Sequence, residues 1–371
     1  MALGDGSWPR RLDGVRPEWL TTCLRHAGAI RTVSVVGHTS DPGIADGFAS
    51  AVVRIRLHYD GHEPAAPKSL IAKFPTPDVG MRRIAHAAGA YEREVRFYRE
   101  LAGSAGLRVP RCHAAEFDES SGDFVLLLED VVAAPMNGHD ISLERARAVV
   151  QGLARFHATF WNSPTLAALR PPEERAEKLV ALFLESLVSE RAALESYGQN
   201  ITRTALAIGA SLRDGPRAPN STRGARTLVH GDLRPENLLS TGPGCEDFVV
   251  IDWQTLRVAE SGATDLARFI VSGLSVEQRR STEAHLLSAY HRTLVDLGIE
   301  DLGWDELLAQ YRGALHEQVI GYVILTAALR GDPHMRTLIA PIARLEAALS
   351  DALRRERPFE QSVRAGRHDE P

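Results

Sequence analysis

The chain contains two apolar runs that end in polar side chains, Leu228-Val229-His230-Gly231-Asp232-Leu233-Arg234-Pro235-Glu236-Asn237-Leu238-Leu239 and Phe248-Val249-Val250-Ile251-Asp252-Trp253. Each aliphatic run predicts a short buried strand. The Gly242-Pro243-Gly244 sequence between them predicts the turn of a hairpin. We therefore expect Asp232, Asn237 and Asp252 to emerge where strands end and to converge on one site.

This order of side chains is the one that metal-assisted phosphoryl transfer requires. One carboxylate, Asp232, can orient a hydroxyl group, while Asn237 and Asp252 can hold Mg²⁺ on a nucleotide. Taken alone, the spacing of Asp232 and Asn237 is more typical of a polar loop with an Asx turn and a helix start. Asp252 changes the balance, because a carboxylate at the end of a buried strand needs backbone donors or a cation.

Lys73 lies in the apolar run Leu70-Ile71-Ala72-Lys73-Phe74, where an ammonium group is costly unless it reaches solvent or an anion. Only three of the 43 basic residues are lysines, so this choice over arginine favours contact with nucleotide phosphates. Such a lysine needs a carboxylate to orient it. The helix predicted from about 87 to 101 offers Glu92, Glu94 and Glu100. Glu94 is preferred for its central position on the helix, and Glu92 remains open.

Two further segments are candidates for nucleotide binding. Gly43 and Gly47 bound a segment predicted to join the first two strands, 32–38 and 48–59, and its backbone amides could cover phosphates. Glu129 and Val131 follow a strong strand at the expected change of domain and could offer backbone groups to an adenine edge. Two other polar residues of this region, His230 and Asp265, fit a role in bracing the catalytic loop better than a role in catalysis.

The pattern along the chain predicts an α+β fold. Residues 1–130 contain the predicted strands and one inserted helix, and should form a small N-terminal lobe with the nucleotide-binding sheet. Residues 131–357 show long helical periods interrupted by the predicted hairpin, and should form a larger, mostly helical lobe with the acceptor site. The charged tail, 358–371, is expected to be disordered.

Bulk properties narrow the class of protein. The 371 residues are 44% hydrophobic, enough for two domains with buried cores, and the net charge of -5 argues against a nucleic-acid partner. Neither a signal sequence nor an apolar stretch of about 20 residues is visible, so we expect a cytoplasmic protein without a membrane partner. The three scattered cysteines suit reduced thiols. The sequence does not indicate an oligomeric state.

Together the motifs resemble the aminoglycoside phosphotransferase and choline kinase superfamily, and within it the ecdysteroid-kinase-like branch. The resemblance covers about residues 30–275; besides Lys73 and the stretches quoted first, it rests on Arg93-Glu94-Val95-Arg96-Phe97-Tyr98-Arg99-Glu100-Leu101, Leu126-Leu127-Leu128-Glu129-Asp130, Leu153-Ala154-Arg155-Phe156-His157-Ala158-Thr159-Phe160-Trp161 and Asp265-Leu266-Ala267.

The resemblance implies a bilobal, protein-kinase-like fold that uses ATP and Mg²⁺. It implies Asp232 as catalytic base, Asn237 and Asp252 as metal ligands, and Lys73 on the α- and β-phosphates with Glu94 as its partner. The chain departs from protein kinases in two ways. It lacks a full Gly-x-Gly-x-x-Gly loop, and it has no long activation segment after Asp252, which indicates a small-molecule acceptor rather than a peptide.

The predicted function is ATP-dependent phosphorylation of a hydroxyl group on a small molecule, such as an antibiotic, a natural product or another metabolite. A hydroxyacyl-CoA or choline-like acceptor remains open. Two alternatives are a nucleotide-binding pseudokinase and a metallohydrolase that uses His230, Asp232 and Asp252. The acceptor pocket is expected in the helical lobe, and four side chains are candidates to line it: Trp161, Trp253, Tyr311 and His316. For each of them, a place in the core or behind the site is favoured over direct contact with the acceptor.

Overall fold

The computed structural model describes residues 8–46, 50–136, 141–169, 173–213, 225–242, 244, 247–332 and 335–365. The chain divides into two compact units. The first comprises Met1–Pro135 and Asn237–Arg257, and the second comprises Met136–Glu236 and Val258–Pro371. This division differs from a single boundary near residue 130, because the segment after the catalytic loop belongs to the first unit.

The regular elements are, in chain order, α1 (Pro17–His26), β1 (Val35–Asp46), β2 (Ser50–Tyr59), β3 (Ser69–Pro75), α2 (Val79–Ala87), α3 (Ala90–Arg96), β4 (Cys112–Phe117), β5 (Phe124–Glu129), β6 (Ala134–Pro135), α4 (Leu143–Thr159), α5 (Glu173–Ser189), α6 (Arg191–Tyr197), α7 (Gln199–Arg213), β7 (Thr227–Val229), β8 (Leu238–Ser240), β9 (Phe248–Val250), β10 (Arg257–Ala259), α8 (Ala263–Gly273), α9 (Val276–Asp296), α10 (Trp304–Ala328) and α11 (Met335–Ala365).

The first unit is built on a five-stranded antiparallel sheet in the order β1-β2-β3-β5-β4. Helix α1 covers one face, where alternate strand residues meet its apolar side. The resulting core is fully buried at its centre and includes Leu20, Leu24, Ile55, Leu70 and Val125. A second, smaller sheet in the order β6-β8-β9 belongs to the same unit.

The second unit is helical. Helix α8 is buried almost throughout its length and packs on α10, while α4 packs on α9. Helix α9 begins with a capping box, in which the Ser275 side chain accepts from the Gln278 backbone and the Gln278 side chain accepts from Ser275. The central position of α8 matters for the site, because two of its polar residues contact the catalytic loop.

The structure corrects three predictions of secondary structure. Strand β1 continues to Asp46, so Gly43 lies within a strand, where an irregularity between the Pro42–Val53 and Ala45–Val52 pairs accommodates it; Gly47 lies outside the described residues. The helix predicted from about 87 to 101 begins only at Ala90, because Gly89 adopts φ 70° and separates it from α2; after α3 it continues as a π-helical turn over Phe97–Leu101, to the end of the predicted range. Helix α11 continues to Ala365, into the tail expected to be disordered.

Candidate active site

Lys73 occupies the middle of β3, between Val52 of β2 and Leu126 of β5. It is only 6% exposed. Its Nζ donates to both carboxylate oxygens of Glu94, at 2.6 and 2.9 Å, and to Oδ1 of Asp252 at 3.0 Å. The structure thus joins three of the residues singled out from sequence within the first unit.

The burial of the three helix glutamates shows which of them is the partner of Lys73. Glu94 of α3 is fully buried beside the sheet, Glu92 is half-buried, and Glu100 instead accepts from Arg96 at 2.8 Å. Glu94 is therefore the carboxylate that meets Lys73. Burial by itself lowers the pKa of Lys73, but the carboxylates of Asp252 and Glu94 outweigh it and raise that pKa, so the ammonium group remains charged.

Asp252 follows β9 in a left-handed backbone conformation, φ 68° and ψ 68°. This conformation costs a residue with a Cβ atom about 1–2 kcal/mol, and such strain is concentrated at functional sites. The side chain is 32% exposed. Its Oδ1 also accepts from Gln254 Nε2 at 2.6 Å, and the same Gln254 amide donates to Ser50 Oγ at 3.2 Å. These contacts hold Oδ1 of Asp252 in place.

Asn237 closes a short 3-10 turn immediately before β8 and is buried. The backbone carbonyl oxygen of Asn237 accepts from Ile251 N at 3.0 Å, and the next residue, Leu238, pairs with Val250 in the β8–β9 ladder. This antiparallel pairing brings Asn237 and Asp252 to the same end of the hairpin. An amide and a carboxylate oxygen fit Mg²⁺ that arrives on phosphates, since such ions take one or two protein ligands.

Asp232 belongs to the second unit. Its Oδ1 accepts from Nε and Nη2 of Arg268 at 2.9 and 2.7 Å, while Oδ2 lies 3.3 Å from Nε of Arg234. The Arg268 contact was missed from sequence. The available signal was a charged residue inside the otherwise apolar run Leu266-Ala267-Arg268-Phe269-Ile270 of a buried helix.

The backbone of the loop 230–232 is fixed by Asp265, one turn before Arg268 in α8. The two oxygens of Asp265 accept from His230 N and Gly231 N, both at 2.7 Å. Gly231 has φ 85°, a conformation that glycine adopts without strain. Burial raises the pKa of Asp265, but its contact with His157 and the positive potential of His230 outweigh this and lower it, so the brace is ionised.

His230 and His157 both serve this brace. Nδ1 of His230 accepts from Asp232 N at 3.3 Å, and the ring is fully buried. His157 lies between Tyr290, whose hydroxyl is 2.8 Å from Nδ1, and Asp265, which is 3.3 Å from Nε2. His230 and Asp265 bond to the backbone of residues 230–232, and His157 bonds to Asp265. These contacts fit the bracing role predicted for His230 and Asp265.

Other residues singled out from sequence have partners of their own. Glu129 accepts from Arg108 Nη2 at 2.9 Å and from Arg111 N at 3.1 Å, while Val131 is half-buried. Among the acceptor candidates, Trp253 is fully buried and stacks on Phe97 with ring centroids 3.7 Å apart. The other three bond within the second unit, Trp161 to Asp301, Tyr311 to Glu283 and His316 to the Arg312 carbonyl.

Two features are absent from the part of the chain that the structure describes. None of its helices is long and apolar enough to cross a membrane. Across the same ranges, no group of three or more His, Cys, Asp or Glu side chains is arranged to hold a metal ion. The oxygen donors of Asn237 and Asp252 are a smaller set, suited to a metal that shares its coordination with a nucleotide.

Comparison with solved structures shows the fold. Choline kinase from Cryptosporidium parvum is similar at 11% identity, over 94% of this chain and 97% of that chain, with a TM-score of 0.57. A spectinomycin phosphotransferase in complex with ADP and spectinomycin is similar at 13% identity, over 90% and 98%, with a TM-score of 0.52. A mutant aminoglycoside 2'-phosphotransferase-IIIa in complex with GDP is similar at 16% identity, over 90% of this chain and 95% of that chain, with a TM-score of 0.50.

The predicted α+β, kinase-like fold is therefore confirmed, and it is related to that of small-molecule phosphotransferases. No curated protein matches the sequence. The model of the ecdysteroid kinase-like family, in contrast, matches residues 44–304, which include Lys73, Glu94, Asp232, Asn237 and Asp252. Since this match spans most of the chain, the protein belongs to the ecdysteroid kinase-like family.

Proposed function

We propose that the protein is an ATP-dependent phosphotransferase that phosphorylates a hydroxyl group of a small molecule. The observation that carries this proposal is the buried contact of Lys73 with both Glu94 and Asp252. A lysine placed by this pair is the recurring phosphate-binding arrangement of kinases. Membership of the ecdysteroid kinase-like family and the kinase-like fold support the same chemistry.

Each polar group of the first unit has a role in this proposal. Lys73 contacts the α- and β-phosphates, and Glu94 keeps its ammonium group in place. Asn237 and Asp252 hold Mg²⁺, which would neutralise charge on the phosphate oxygens when bound. Gln254 fixes Oδ1 of Asp252, so the orientation of this carboxylate is set before the nucleotide binds.

Asp232 acts on the acceptor. In the proposed reaction the acceptor oxygen forms a bond with the γ-phosphorus, and the bond from that phosphorus to the bridging oxygen breaks to release ADP. Asp232 accepts a hydrogen bond from the hydroxyl group and takes its proton as the new bond forms. The contacts of Asp265 with the loop backbone favour alignment of the acceptor, which supplies much of the rate enhancement in phosphoryl transfer.

The acceptor is a small molecule in this proposal. Between Asp252 and Asp265 the chain forms one 3-10 turn, the short strand β10 and the start of α8, which leaves no long segment for docking a peptide. Antibiotics, natural products and other metabolites that carry a hydroxyl group form the substrate class. Choline-like alcohols and hydroxyacyl-CoA belong in the same test.

The test is a screen of such alcohols with Mg·ATP and, in parallel, Mg·GTP, with mass spectrometry to detect the gain of one phosphate. The Asp232→Asn variant, which keeps the shape of the side chain, is the matched control. A product that depends on nucleotide, Mg²⁺ and Asp232 supports the proposal. Tight nucleotide binding without turnover on any acceptor would instead indicate a nucleotide-binding scaffold, and a product formed without nucleotide would indicate a hydrolase.

A further inference from the structure

Arg268 is the side chain of α8 that contacts the proposed catalytic carboxylate. It is 15% exposed, and Asp232 is 24% exposed. Nε and Nη2 of Arg268 both donate to Oδ1 of Asp232, and Nη1 donates to the Tyr322 hydroxyl at 2.6 Å. All three nitrogen atoms of the guanidinium group thus donate, two to Asp232 and one to Tyr322. Such a fixed guanidinium positions its partner more exactly than a lysine ammonium could.

The same helix also holds the loop backbone. Asp265 and Arg268 are three positions apart in α8, so they lie on one face of the helix. Asp265 accepts from the backbone N–H groups of His230 and Gly231, and Arg268 donates to the side chain of Asp232. A single helix therefore holds two backbone N–H groups of the loop and one oxygen of its carboxylate.

Arg268, rather than Arg234, sets the orientation of the Asp232 carboxylate. Oδ1 accepts two hydrogen bonds from the mostly buried Arg268, whereas Oδ2 lies 3.3 Å from Nε of Arg234, whose side chain is 42% exposed. Exposed ion pairs contribute little, so the contact with Arg268 is the one that fixes the plane of the carboxylate.

We propose that Arg268 is a positioning residue, which fixes Oδ1 of Asp232 and so orients the carboxylate for the acceptor hydroxyl. This inference rests on the proposed function. In a loose phosphoryl-transfer transition state the hydroxyl keeps its proton until late, so alignment of the acceptor oxygen contributes more than the strength of the base. Arg268 acts on this alignment through Asp232 and does not itself contact the reacting atoms.

The test is a double-mutant cycle on Arg268 and Asp232. The rate measured is ADP release from Mg·ATP, with water as acceptor and with any alcohol that the wild type phosphorylates. Arg268→Gln should lower kcat by about 10-fold to 100-fold, the size expected for a misplaced catalytic group, with little change in the KM for ATP. In the Asp232→Asn background the same substitution should change kcat by less than about 3-fold, because the two residues act as one unit.

Two further variants separate positioning from a general loss of structure. Arg268→Lys keeps the charge but loses the fork, so it should recover only part of the rate. Tyr322→Phe removes the second anchor of Arg268 and should give a smaller loss of kcat than Arg268→Gln. Arg280→Gln is the matched control, since it removes an arginine–carboxylate pair with Asp351 elsewhere in the second unit. It should leave kcat unchanged.

The outcomes are distinct. If the wild type releases no ADP with water or with any alcohol, the proposed function fails, and the role of Arg268 falls with it. If the wild type turns over but Arg268→Gln retains its kcat, only the role of Arg268 is wrong. Equal losses in the wild-type and Asp232→Asn backgrounds, with a lower melting temperature in both, would assign Arg268 a purely structural role and would also overturn the proposal.

Discussion

At the scale of single residues, the site depends on charges that are compensated inside the protein. Lys73 and Glu94 are both buried, and neither charge is tolerable without the other. A buried ion pair of this kind does little for stability when compared with an apolar pair. Its value lies in holding an ammonium group where a phosphate can meet it.

Loss of one partner of this pair should be far more harmful than loss of both. Lys73→Met leaves the Glu94 carboxylate buried without its cation, and we expect the free energy of unfolding to fall by about 3–5 kcal/mol. The double variant Lys73→Met with Glu94→Gln should recover most of that loss. Denaturant unfolding of the three proteins measures this, and a double variant no more stable than Lys73→Met would contradict the buried-pair interpretation.

Asp232→Asn tests the proposed catalytic carboxylate directly. The amide keeps the size of the side chain but cannot take a proton, so kcat should fall by about 10²-fold to 10⁴-fold. The KM for ATP should change little, because Asp232 has no proposed contact with the nucleotide. Steady-state kinetics with the alcohol found in the screen provides the measurement. Near-normal turnover would show that Asp232 is not the catalytic group.

Sequence reasoning reached some of these residues and not others, for a physical reason. Lys73 stands out because a charge in an apolar strand is costly, and Glu94 follows from the period of the helix next in sequence. Arg268 is one of 40 arginines and meets Asp232 across 36 positions of chain. The apolar run around Arg268 marks the residue as unusual, but it does not identify Asp232 as the partner, since that contact depends on how α8 packs in the second unit.

At the scale of elements, the start of α8 depends on a close approach at Gly262. A Cβ atom at this position would lie 2.3 Å from both His157 Nδ1 and the Tyr290 hydroxyl. These two side chains are buried and bonded to each other, so they cannot move apart freely. Gly262 therefore allows the helix to begin directly against the brace of the catalytic loop.

Gly262→Ala should lower the free energy of unfolding by about 1–3 kcal/mol, as overpacking of a filled interior does. Gly313→Ala is the matched control, because a Cβ atom there meets nothing within 4 Å in α10. That change should be neutral or should stabilise by up to about 1 kcal/mol, since alanine favours helix. Thermal unfolding of both variants distinguishes the two effects, and equal melting temperatures would exclude the proposed clash.

Strand β4 contains a buried histidine that should make stability depend on pH. Burial, together with the positive charge of Arg111, lowers the pKa of His113 to about 4. In the unfolded chain this histidine has an ordinary pKa of about 6.5, so the unfolded chain takes up a proton first as the pH falls. Stability should therefore decrease from pH about 6.5 to about 4, by up to about 3 kcal/mol, and then level off for this group.

The measurement is the difference between wild type and His113→Gln in unfolding free energy across that pH window. Replacement of the ring by a side chain that does not titrate should flatten this part of the profile. Parallel curves for the two proteins would show that another group causes any loss of stability.

Most elements of regular structure could be predicted from the sequence, and the exceptions have local causes. Helices α4, α9 and α10 lie in the part of the chain, 131–357, where apolar residues repeat with the helical period and predict a mostly helical lobe. The end of β1 could not be predicted, since Pro42 and Gly43 usually mark a loop and are accommodated here by an irregular pairing with β2.

At the scale of the whole molecule, nucleotide binding should be visible as a gain in stability. A ligand that binds only the folded protein stabilises it by about 2.7 kcal/mol at 100 times its Kd. Mg·ATP should therefore raise the melting temperature of the wild type. In Asp252→Asn the increase should shrink and should no longer depend on Mg²⁺. An unchanged Mg²⁺ dependence in this variant would remove Asp252 from the proposed metal ligands.

The burial of Lys73 also determines how the protein can be labelled. Of the three lysines in the chain, Lys68 and Lys178 are exposed, while the amine of Lys73 is covered and ion-paired. Amine-directed reagents such as succinimidyl esters should therefore modify the two outer lysines and spare the third. A fluorophore or a sensor-chip surface can be coupled through those two positions while Lys73 stays unmodified.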